Sequence, residues 1–420
     1  MDLKNKKVTV LGLGRSGTAL AELIDSLKGI PRISEKAPYD SVKKVLENWP
    51  LKDRVETEFG NHSREFIEKS DLVVLSPGVR IDAPPVQWAR EKNIPVIGEI
   101  ELAWSFCDKP VIAVTGSNGK TTVSTLIKEF LAAAGKKVCL CGNIGSPFSK
   151  HVLELKDKDF VVLEISSFQL ESIVHFRPHV AVFINFSQNH LDRHKDLQEY
   201  LDAKKRIFMN QAKGDYAVLN YQDPTVKGLT PELKAKVIYF NSPQVLEHVP
   251  ISNPNYLAAS AAAGVLGVSQ EICRKAFENF KGVEHRLEQV RTIEGVDFIN
   301  DSKSTTIESG RWALESIERP IILICGGRDK KLDFSVIKDL VRNKVKLMII
   351  IGEAREKIRQ VFKGVIPIEE SDSFKNAVLL ARQKAVKGDC VILSPMCTSY
   401  DMFSNFEERG KVFKEIVNGI

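Results

Sequence analysis

The sequence predicts an α/β protein with three domains built on parallel sheets. Short apolar runs alternate with segments of helical spacing almost from end to end, which is typical of βαβ units. At 420 residues, the chain is too long for one ordinary hydrophobic core. The best candidates for domain boundaries lie near Gly98 and Gly282. We therefore expect a Rossmann-like domain over 1–98, a central P-loop ATPase-like sheet over 99–282 and a Rossmann-like C-terminal domain over 283–420.

Composition argues against several classes of protein. No apolar run approaches the length of a membrane span, and MDLKNKK leads directly into a predicted strand rather than a signal-peptide core. The seven cysteines include no CxxC pair, which suits a reducing compartment and argues against a disulfide framework or a zinc site. The net charge of +6 comes without a dense basic block interleaved with aromatics. We expect a cytoplasmic protein with neither a membrane nor a nucleic-acid partner.

Most of the predicted strands end in small or polar residues. In chain order, the runs are VTVLGLG, DLVVLSPG, VIAVTGSNGK, FVVLEISS, VAVFINFSQNH, VDFINDSK, IILICGG, LMIIIGE and CVILSPMC. Ligands of open α/β sheets bind beyond the carboxyl ends of the strands, so these polar tails are the natural places for a site.

The most informative tail is the sequence VIAVTGSNGKTT, which precedes a segment of helical spacing. A strand, a glycine loop and a helix start direct backbone N–H groups and the helix dipole at one point, where a phosphate can bind. Lys120 adds a positive charge, and the Thr121 hydroxyl can bind a magnesium ion. Val114 stands where the general pattern has glycine, so the loop is a shortened variant. The alternative is an ordinary strand-to-helix turn. The flanking elements favour a nucleoside triphosphate, bound by Gly116, Ser117, Asn118, Gly119, Lys120, Thr121 and Thr122.

A second glycine loop, Gly12-Leu13-Gly14-Arg15-Ser16-Gly17, follows the first strand. It matches the dinucleotide pattern G-x-G-x-x-G, and Glu35 lies about twenty positions further on. NAD is one reading. The loop accepts any diphosphate, however, and the separate triphosphate loop favours a UDP-type ligand. Ser76-Pro77-Gly78 ends another strand of this domain and could border the same crevice.

Two further tails carry candidate metal ligands. Glu164 ends a strand about forty residues after Lys120, where an acid that holds magnesium is expected, although a lone strand-end glutamate is often simply solvated. His190 ends the next strand. Lys204 lies in a helical stretch with two more basic residues, and composition alone would assign this stretch to a solvated helix face.

Three tails in the last third of the chain suggest a pocket for a substrate with carboxylates. These are Asp301-Ser302-Lys303, the basic stretch from Gly326 to Lys331, and the stretch from Ser394 to Phe403 with its hydroxyls and aromatic ring. Each of them alone could be an ordinary surface loop.

Taken together, these motifs resemble those of the Mur ligases, and among them the members that add D-glutamate. The resemblance covers nearly the whole chain and is carried by TGSNGKTT, LEISSFQLE, NHLDRH, GVEHRLE, NDSKST and SPMCTSYDMFSNFEERG. Val114 is usual in this superfamily, which also includes folylpolyglutamate synthetases. The first glycine loop is similar to the uridine-nucleotide loop of the D-glutamate-adding members, which argues against NAD.

The resemblance implies an ATP-dependent ligase that adds D-glutamate to UDP-N-acetylmuramoyl-L-alanine through an acyl phosphate, as a monomer. It implies catalytic roles for Lys120, Glu164, His190 and Lys204. Thr121, Glu164, His190 and Lys204 would hold two Mg²⁺ ions, with Lys204 carbamylated by CO2. For ATP it adds Asn255, Arg286 and Asp301 to the loop. For the UDP substrate it implies Gly14, Arg15, Ser16, Glu35, Ser76, Pro77, Gly78, Asn143 and His190. For D-glutamate it implies Lys303, Thr305, Lys330, Ser399 and Phe403. Two positions depart from the family pattern, Thr306 and Lys331.

Three other functions compete with this reading. The first is a different ligase, either a folylpolyglutamate synthetase or a Mur ligase that adds another residue. The stretch from Ser394 to Gly410, combined with the N-terminal uridine-nucleotide loop, argues against it. The second is an NAD-dependent oxidoreductase, which would leave the triphosphate loop unexplained. The third is a nucleotide-binding regulator without activity, against which the complete catalytic set argues.

Overall fold

The computed structural model describes residues 1–47, 49–188, 193–249, 251–329 and 332–420. The chain divides into two compact units, Met1–Phe280 and Lys281–Ile420. Within the described ranges, we find no helix with both the length and the apolar character needed to cross a membrane.

The first sheet of the N-terminal unit has five strands and is entirely parallel. Its strands are β1 Lys7–Leu11, β2 Ile30–Glu35, β3 Glu56–Phe59, β4 Leu72–Leu75 and β5 Val96–Gly98. The helices that connect and follow them are α1 Arg15–Ser26, α2 Tyr39–Glu47, α3 Arg64–Glu68, α4 Pro84–Glu91 and α5 Glu99–Trp104. The strand order is β3-β2-β1-β4-β5, so the order reverses between β1 and β4. Such a reversal opens a crevice at the carboxyl ends of these two strands.

The second sheet belongs to the same unit and has six parallel strands. These are β6 Val111–Thr115, β7 Val138–Gly142, β8 Phe160–Glu164, β9 Val180–Phe183, β10 Tyr216–Asn220 and β11 Lys236–Phe240. The helices are α6 Lys120–Ala133, α7 Phe148–His151, α8 Ser167–Leu170, α9 Leu197–Lys205, α10 Pro224–Lys227, α11 Pro243–His248, α12 Pro254–Gly264 and α13 Gln270–Glu278. The order is β11-β10-β9-β6-β8-β7, which places β6 between β9 and β8.

The third sheet forms the core of the C-terminal unit. Its strands are β12 Glu288–Ile293, β13 Val296–Asn300, β14 Ile321–Gly326, β15 Val345–Ile351, β16 Ile368–Glu370 and β17 Cys390–Leu393. The helices are α14 Ile307–Ser316, α15 Lys338–Lys344, α16 Arg355–Phe362, α17 Phe374–Lys384 and α18 Phe406–Asn418. The order β12-β13-β17-β14-β15-β16 brings the tails of β13, β17 and β14 next to one another.

One strand of the third sheet departs from the parallel arrangement that the sequence predicts. β12 pairs antiparallel to β13. Only Glu294 and Gly295 connect the two strands, and both have positive φ, +49° and +81°. A two-residue connection of this kind forms a hairpin and cannot make the crossover that a parallel pair requires.

The predicted α/β class with several parallel sheets is confirmed, and all nine strands expected from the apolar runs are present. These strands are almost fully buried, because helices cover parallel sheets on both faces. One buried apolar cluster continues from the first sheet into the second and includes Leu102 of α5 and Phe148 of α7. The boundaries at Gly98 and Gly282 stay predictions.

Candidate active site

The loop after β6 turns at two glycines. Gly116 has φ +156° and Gly119 has φ +82°, which are conformations that side chains disfavour. α6 then begins at Lys120 with Gly119 as its N-cap, so no side chain caps the helix. The N-terminus of a helix combines N–H donors with a positive partial charge. The backbone of this loop is therefore suited to binding an anion.

The segment that follows β9 holds this loop in place. The Ser117 N–H donates to the Asn185 carbonyl oxygen at 3.0 Å, and the Asn118 N–H donates to Asn185 Oδ1 at 2.9 Å. Ser117 Oγ also donates to the Ser187 carbonyl oxygen at 3.0 Å. Sequence reasoning gave no role to Asn185, although it lies in the polar tail VAVFINFSQNH, because its partners lie 67 and 68 positions away along the chain.

Asn255 approaches the same loop from the start of α12. A Cβ atom built on Gly119 would lie 2.5 Å from Asn255 Oδ1, so only glycine fits at this position without a shift. The structure thus brings Asn255 to the loop at 116–122, although more than 130 positions separate them in the sequence.

Two lysine ammonium groups meet at one backbone oxygen of the loop. Lys120 Nζ donates to the Gly116 carbonyl oxygen at 2.9 Å, and Lys204 Nζ donates to the same oxygen at 2.8 Å. Lys204 is only 1% exposed, so the solvated helix face that composition alone suggests is wrong for this residue. Burial, reinforced by the nearby charge of Lys120, holds the pKa of Lys204 well below its ordinary value.

The Tyr200 ring lies close to the Lys204 ammonium group. Its Nζ lies 4.6 Å from the centre of the Tyr200 ring, and the Tyr200 hydroxyl reaches Ser117 Oγ at 3.4 Å. Burial raises the pKa of Tyr200 to about 12. His194 packs against the Tyr200 ring and makes a 3.0 Å hydrogen bond with Ser167 Oγ. The buried lysine thus contacts both the Tyr200 ring and the backbone of the loop.

Glu164 ends β8 next to the loop. In the register of the sheet it pairs with Val114 of β6 on one side and with Gly142 of β7 on the other. Its side chain is 1% exposed, and its Oε1 accepts a hydrogen bond from Asn143 Nδ2 at 2.7 Å. Strand pairing therefore brings the loop, Glu164 and Asn143 to the same edge of the sheet.

The first glycine loop lies in the crevice between β1 and β4. Ser76 Oγ donates to the Gly12 carbonyl oxygen at 3.0 Å. The Leu13 N–H donates to Glu35 Oε2 at 2.6 Å, so the predicted ligand Glu35 also fixes the loop. A Cβ on Gly17 would lie 2.0 Å from the Gly12 oxygen, which explains the need for the last glycine of the pattern.

Two arginines connect this crevice to the second sheet within the N-terminal unit. Arg15 Nη1 donates to the Gly145 carbonyl oxygen at 3.3 Å, in the loop that also carries Asn143. Arg193 donates to the carbonyl oxygens of Gly78 and Val79, each at 3.0 Å. Sequence reasoning gave no role to Arg193. The one sign in the sequence that Arg193 belongs to the site is its position within the motif NHLDRH.

In the C-terminal unit, the predicted nucleotide ligand Asp301 follows β13. It is 3% exposed, accepts a hydrogen bond from Ser394 Oγ at 2.8 Å through Oδ2, and accepts one from the Leu287 N–H at 3.2 Å through Oδ1. Burial raises the pKa of Asp301 to about 7. Arg286 is half-buried beside this carboxyl group, where its charge opposes the rise.

The tails of β13 and β17 lie side by side in this unit. Ser399 is buried, and its carbonyl oxygen accepts the Phe403 N–H at 2.8 Å. The Met396 N–H donates to the Ser304 carbonyl oxygen at 2.8 Å, which joins the two tails. The half-buried Lys303 and Thr305 lie on the first of these tails. Two predicted site residues, His190 and Lys330, lie outside the described residues.

The fold and the site define a class of protein, an α/β protein with glycine loops suited to binding phosphates. Three family models match the chain: "Mur ligase MurD-like, N-terminal domain" at residues 6–98, "Mur ligase middle domain" at 114–249 and "Mur ligase, glutamate ligase domain" at 285–397.

Whole-chain relatives agree with these models. The UDP-N-acetylmuramoylalanine–D-glutamate ligase of Thermoanaerobacter sp. (strain X514) is 41% identical, with 99% of each chain covered. The enzyme of the same name from Koribacter versatilis is 39% identical, over 99% of this chain and 98% of that one. The solved UDP-N-acetylmuramate-alanine ligase of Thermotoga maritima shares the fold, with a TM-score of 0.60 at 18% identity over 99% of both chains. The chain belongs to the Mur ligase family.

Proposed function

We propose that this protein is an ATP-dependent ligase that joins D-glutamate to UDP-N-acetylmuramoyl-L-alanine in peptidoglycan precursor synthesis. The observation that carries the proposal is the loop at 116–122 with Lys120 and Lys204 on one carbonyl oxygen, in a chain 41% identical over its length to a ligase of that name. We also propose that the protein acts as a monomer in the cytoplasm, where ATP and nucleotide-linked precursors are available.

The reaction must turn an unreactive carboxylate into an electrophile. An oxygen of the alanyl carboxylate attacks the γ-phosphorus of ATP, the bond to the β,γ-bridging oxygen breaks, and ADP leaves. The amine of D-glutamate then attacks the carbonyl carbon of the acyl phosphate. Phosphate leaves with the former carboxylate oxygen, and the nitrogen loses a proton as the amide forms. Two anions approach each other in the first step, so neutralising charge and aligning the reactants are the main tasks of the protein.

The loop after β6 supplies that neutralisation. Lys120 and the N-terminus of α6 would bind the triphosphate, helped by Gly116, Ser117, Asn118, Gly119, Thr121 and Thr122. Asn255 supports the assignment, because its side chain lies against Gly119. Arg286 and Asp301 of the C-terminal unit are also proposed to bind the nucleotide.

The crevice between β1 and β4 would bind the uridine nucleotide. The contacts of Arg15 with the loop that carries Asn143, and of Ser76 with the first glycine loop, support a single continuous site. The set proposed for this substrate is Gly14, Arg15, Ser16, Glu35, Ser76, Pro77, Gly78, Asn143 and His190. D-Glutamate would bind at Lys303, Thr305, Lys330, Ser399 and Phe403.

The residues at the phosphate loop also fit magnesium. Hydroxyl and carboxylate oxygens are the ligands that magnesium prefers, and Thr121 and Glu164 supply them in positions only 2% and 1% exposed. Thr121, Glu164, His190 and Lys204 would hold two ions, which neutralise charge on the phosphates when bound. Lys204 would serve as a carbamate: its neutral amine forms an N–C bond with CO2 and loses one proton, which gives an anionic oxygen ligand.

The proposal is tested by measuring ADP release with each substrate omitted in turn. We expect release only when ATP, the UDP-linked acid and D-glutamate are all present. The control replaces D-glutamate with meso-diaminopimelate or lysine. If one of these supports turnover while D-glutamate does not, the amino-acid assignment is wrong but the ligase class stands. A change in the fluorescence of NADH when it binds the protein would instead favour an oxidoreductase.

A further inference from the structure

Arg409 lies on α18 with its guanidinium group beneath two loops of the C-terminal unit. It is 1% exposed, one of the largest fully buried side chains of the protein. Its Nε donates to Ser302 Oγ at 3.0 Å, and its Nη2 donates to the Ser302 carbonyl oxygen at 2.9 Å. Nη1 and Nη2 both donate to the Cys397 carbonyl oxygen, at 3.2 and 3.1 Å. One side chain therefore makes four hydrogen bonds to these two loops.

The contacted residues stand next to the proposed amino-acid ligands. Ser302 directly precedes Lys303, and Cys397 is two positions before Ser399. A third tail packs on the same group, since a Cβ on Gly327 would lie 3.3 Å from Arg409 Nη1 and 3.0 Å from Cys397 Cβ. The guanidinium thus touches the tails of β13, β17 and β14, which carry the three groups of pocket residues.

Asp401 and Asp301 act on the charge of Arg409 from a distance, but neither forms an ion pair with it. No carboxylate among the described ranges lies within ion-pair distance of it, and its bonds go to backbone oxygens and one hydroxyl. Burial lowers the pKa of Arg409 to about 10, so it stays protonated at neutral pH. A buried cation that makes no close ion pair is costly to fold. A substrate that brings carboxylates close to it would offset part of that cost.

We propose that Arg409 is a positioning residue for the amino-acid substrate: its planar fork sets the spacing of the β13 and β17 tails, and its buried positive charge favours a ligand with two carboxylates there. The inference rests on the proposed function. Lysine cannot replace arginine in this role, because a single ammonium group cannot donate to Ser302 and Cys397 in the same plane.

The test compares Arg409→Lys with wild type in steady-state kinetics on all three substrates. We expect KM for D-glutamate to rise about tenfold or more, since small misplacements in a binding site carry penalties of this size. KM for ATP and for the UDP-linked acid should stay within about twofold. Arg382→Lys is the matched control, because Arg382 pairs with Glu294 at the surface of the same unit, and we expect it to match wild type.

Two results would overturn the inference. One is an unchanged KM for D-glutamate in folded Arg409→Lys. The other is a fall in kcat that parallels a fall in Tm, with no selective change in the KM for D-glutamate. This result marks a purely structural role. If Arg409→Lys does not fold, the variant Ser302→Ala is used, which removes the hydroxyl that accepts a hydrogen bond from the Arg409 guanidinium group. Ser302→Ala should raise the KM for D-glutamate about threefold. An unchanged KM in this variant would reject the inference. If wild type ignores D-glutamate but uses another amino acid, the proposed function fails, and the same variants are measured with that amino acid.

Discussion

Replacing Gly119 with alanine tests whether the loop after β6 binds ATP. Gly119 has φ +82°, and left-handed backbone costs an alanine about 1–2 kcal/mol. The new Cβ would also lie 2.5 Å from Asn255 Oδ1, below the 3.0 Å that such contacts allow, so Asn255 or the loop must move. A loss of about 1.4 kcal/mol in ATP binding corresponds to a tenfold change in affinity. We therefore expect KM for ATP to rise about tenfold or more.

Gly135 offers a matched control for backbone strain alone. It has φ +78° at the end of the same helix, and a Cβ there would meet no atom within 4 Å. Thermal unfolding and ADP release at varied ATP are measured for both variants. We expect both to unfold about 2–4 °C below wild type, but only Gly119→Ala to lose affinity for ATP. An equal KM for ATP in the two variants would refute the placement of the nucleotide.

Three further predictions concern the charged groups of the site. Lys120→Ala or Glu164→Ala should abolish ADP formation without changing the circular dichroism spectrum, and near-normal turnover by either variant would remove its assignment. Lys204→Ala should be inactive, and short-chain carboxylic acids should partly restore its activity. Lys205→Ala, which changes the neighbour of Lys204, should remain active. No rescue of Lys204→Ala at any acid concentration counts against the carbamate. Asp301→Asn should flatten the pH dependence of stability in denaturant titrations. Burial raises the pKa of Asp301 from 3.8 to about 7, so the protonated carboxyl group stabilises the folded state fully below about pH 4. This stabilisation is lost as the pH rises toward about 7, by up to about 1.4 kcal/mol per pH unit. An equally steep profile in the variant would contradict this.

The strands that the sequence predicts best are those with covered faces. β6 and β17 are buried at every position, so their apolar runs stand out. β12 and β16 lie at the edges of their sheet, and half or more of their positions are partly or fully exposed. Such edge strands carry no apolar run, and the direction of β12 depends on the turn at Glu294 and Gly295 rather than on its own composition.

Some residues of the candidate site could likewise be predicted from the sequence, and others could not. The loop at 116–122 could be predicted because its chemistry is contiguous in sequence. Asn185 and Arg409 could not, because each acts through hydrogen bonds to residues distant in sequence. Lys204 shows the limit of composition: it shares a basic stretch with Lys205, yet only Lys204 is buried, and the position of α9 against the loop decides between them.

The most direct measurement of the central claim follows the oxygen atoms of the reaction. The alanyl carboxylate of the UDP-linked substrate is labelled with the heavy isotope of oxygen, and the released phosphate is examined after turnover with ATP and D-glutamate. If the carboxylate attacks ATP bound at the loop after β6, one labelled oxygen per turnover must appear in the phosphate. Phosphate that carries no label while the amide forms would contradict an acyl phosphate, and with it the role given to Lys120 and its neighbours.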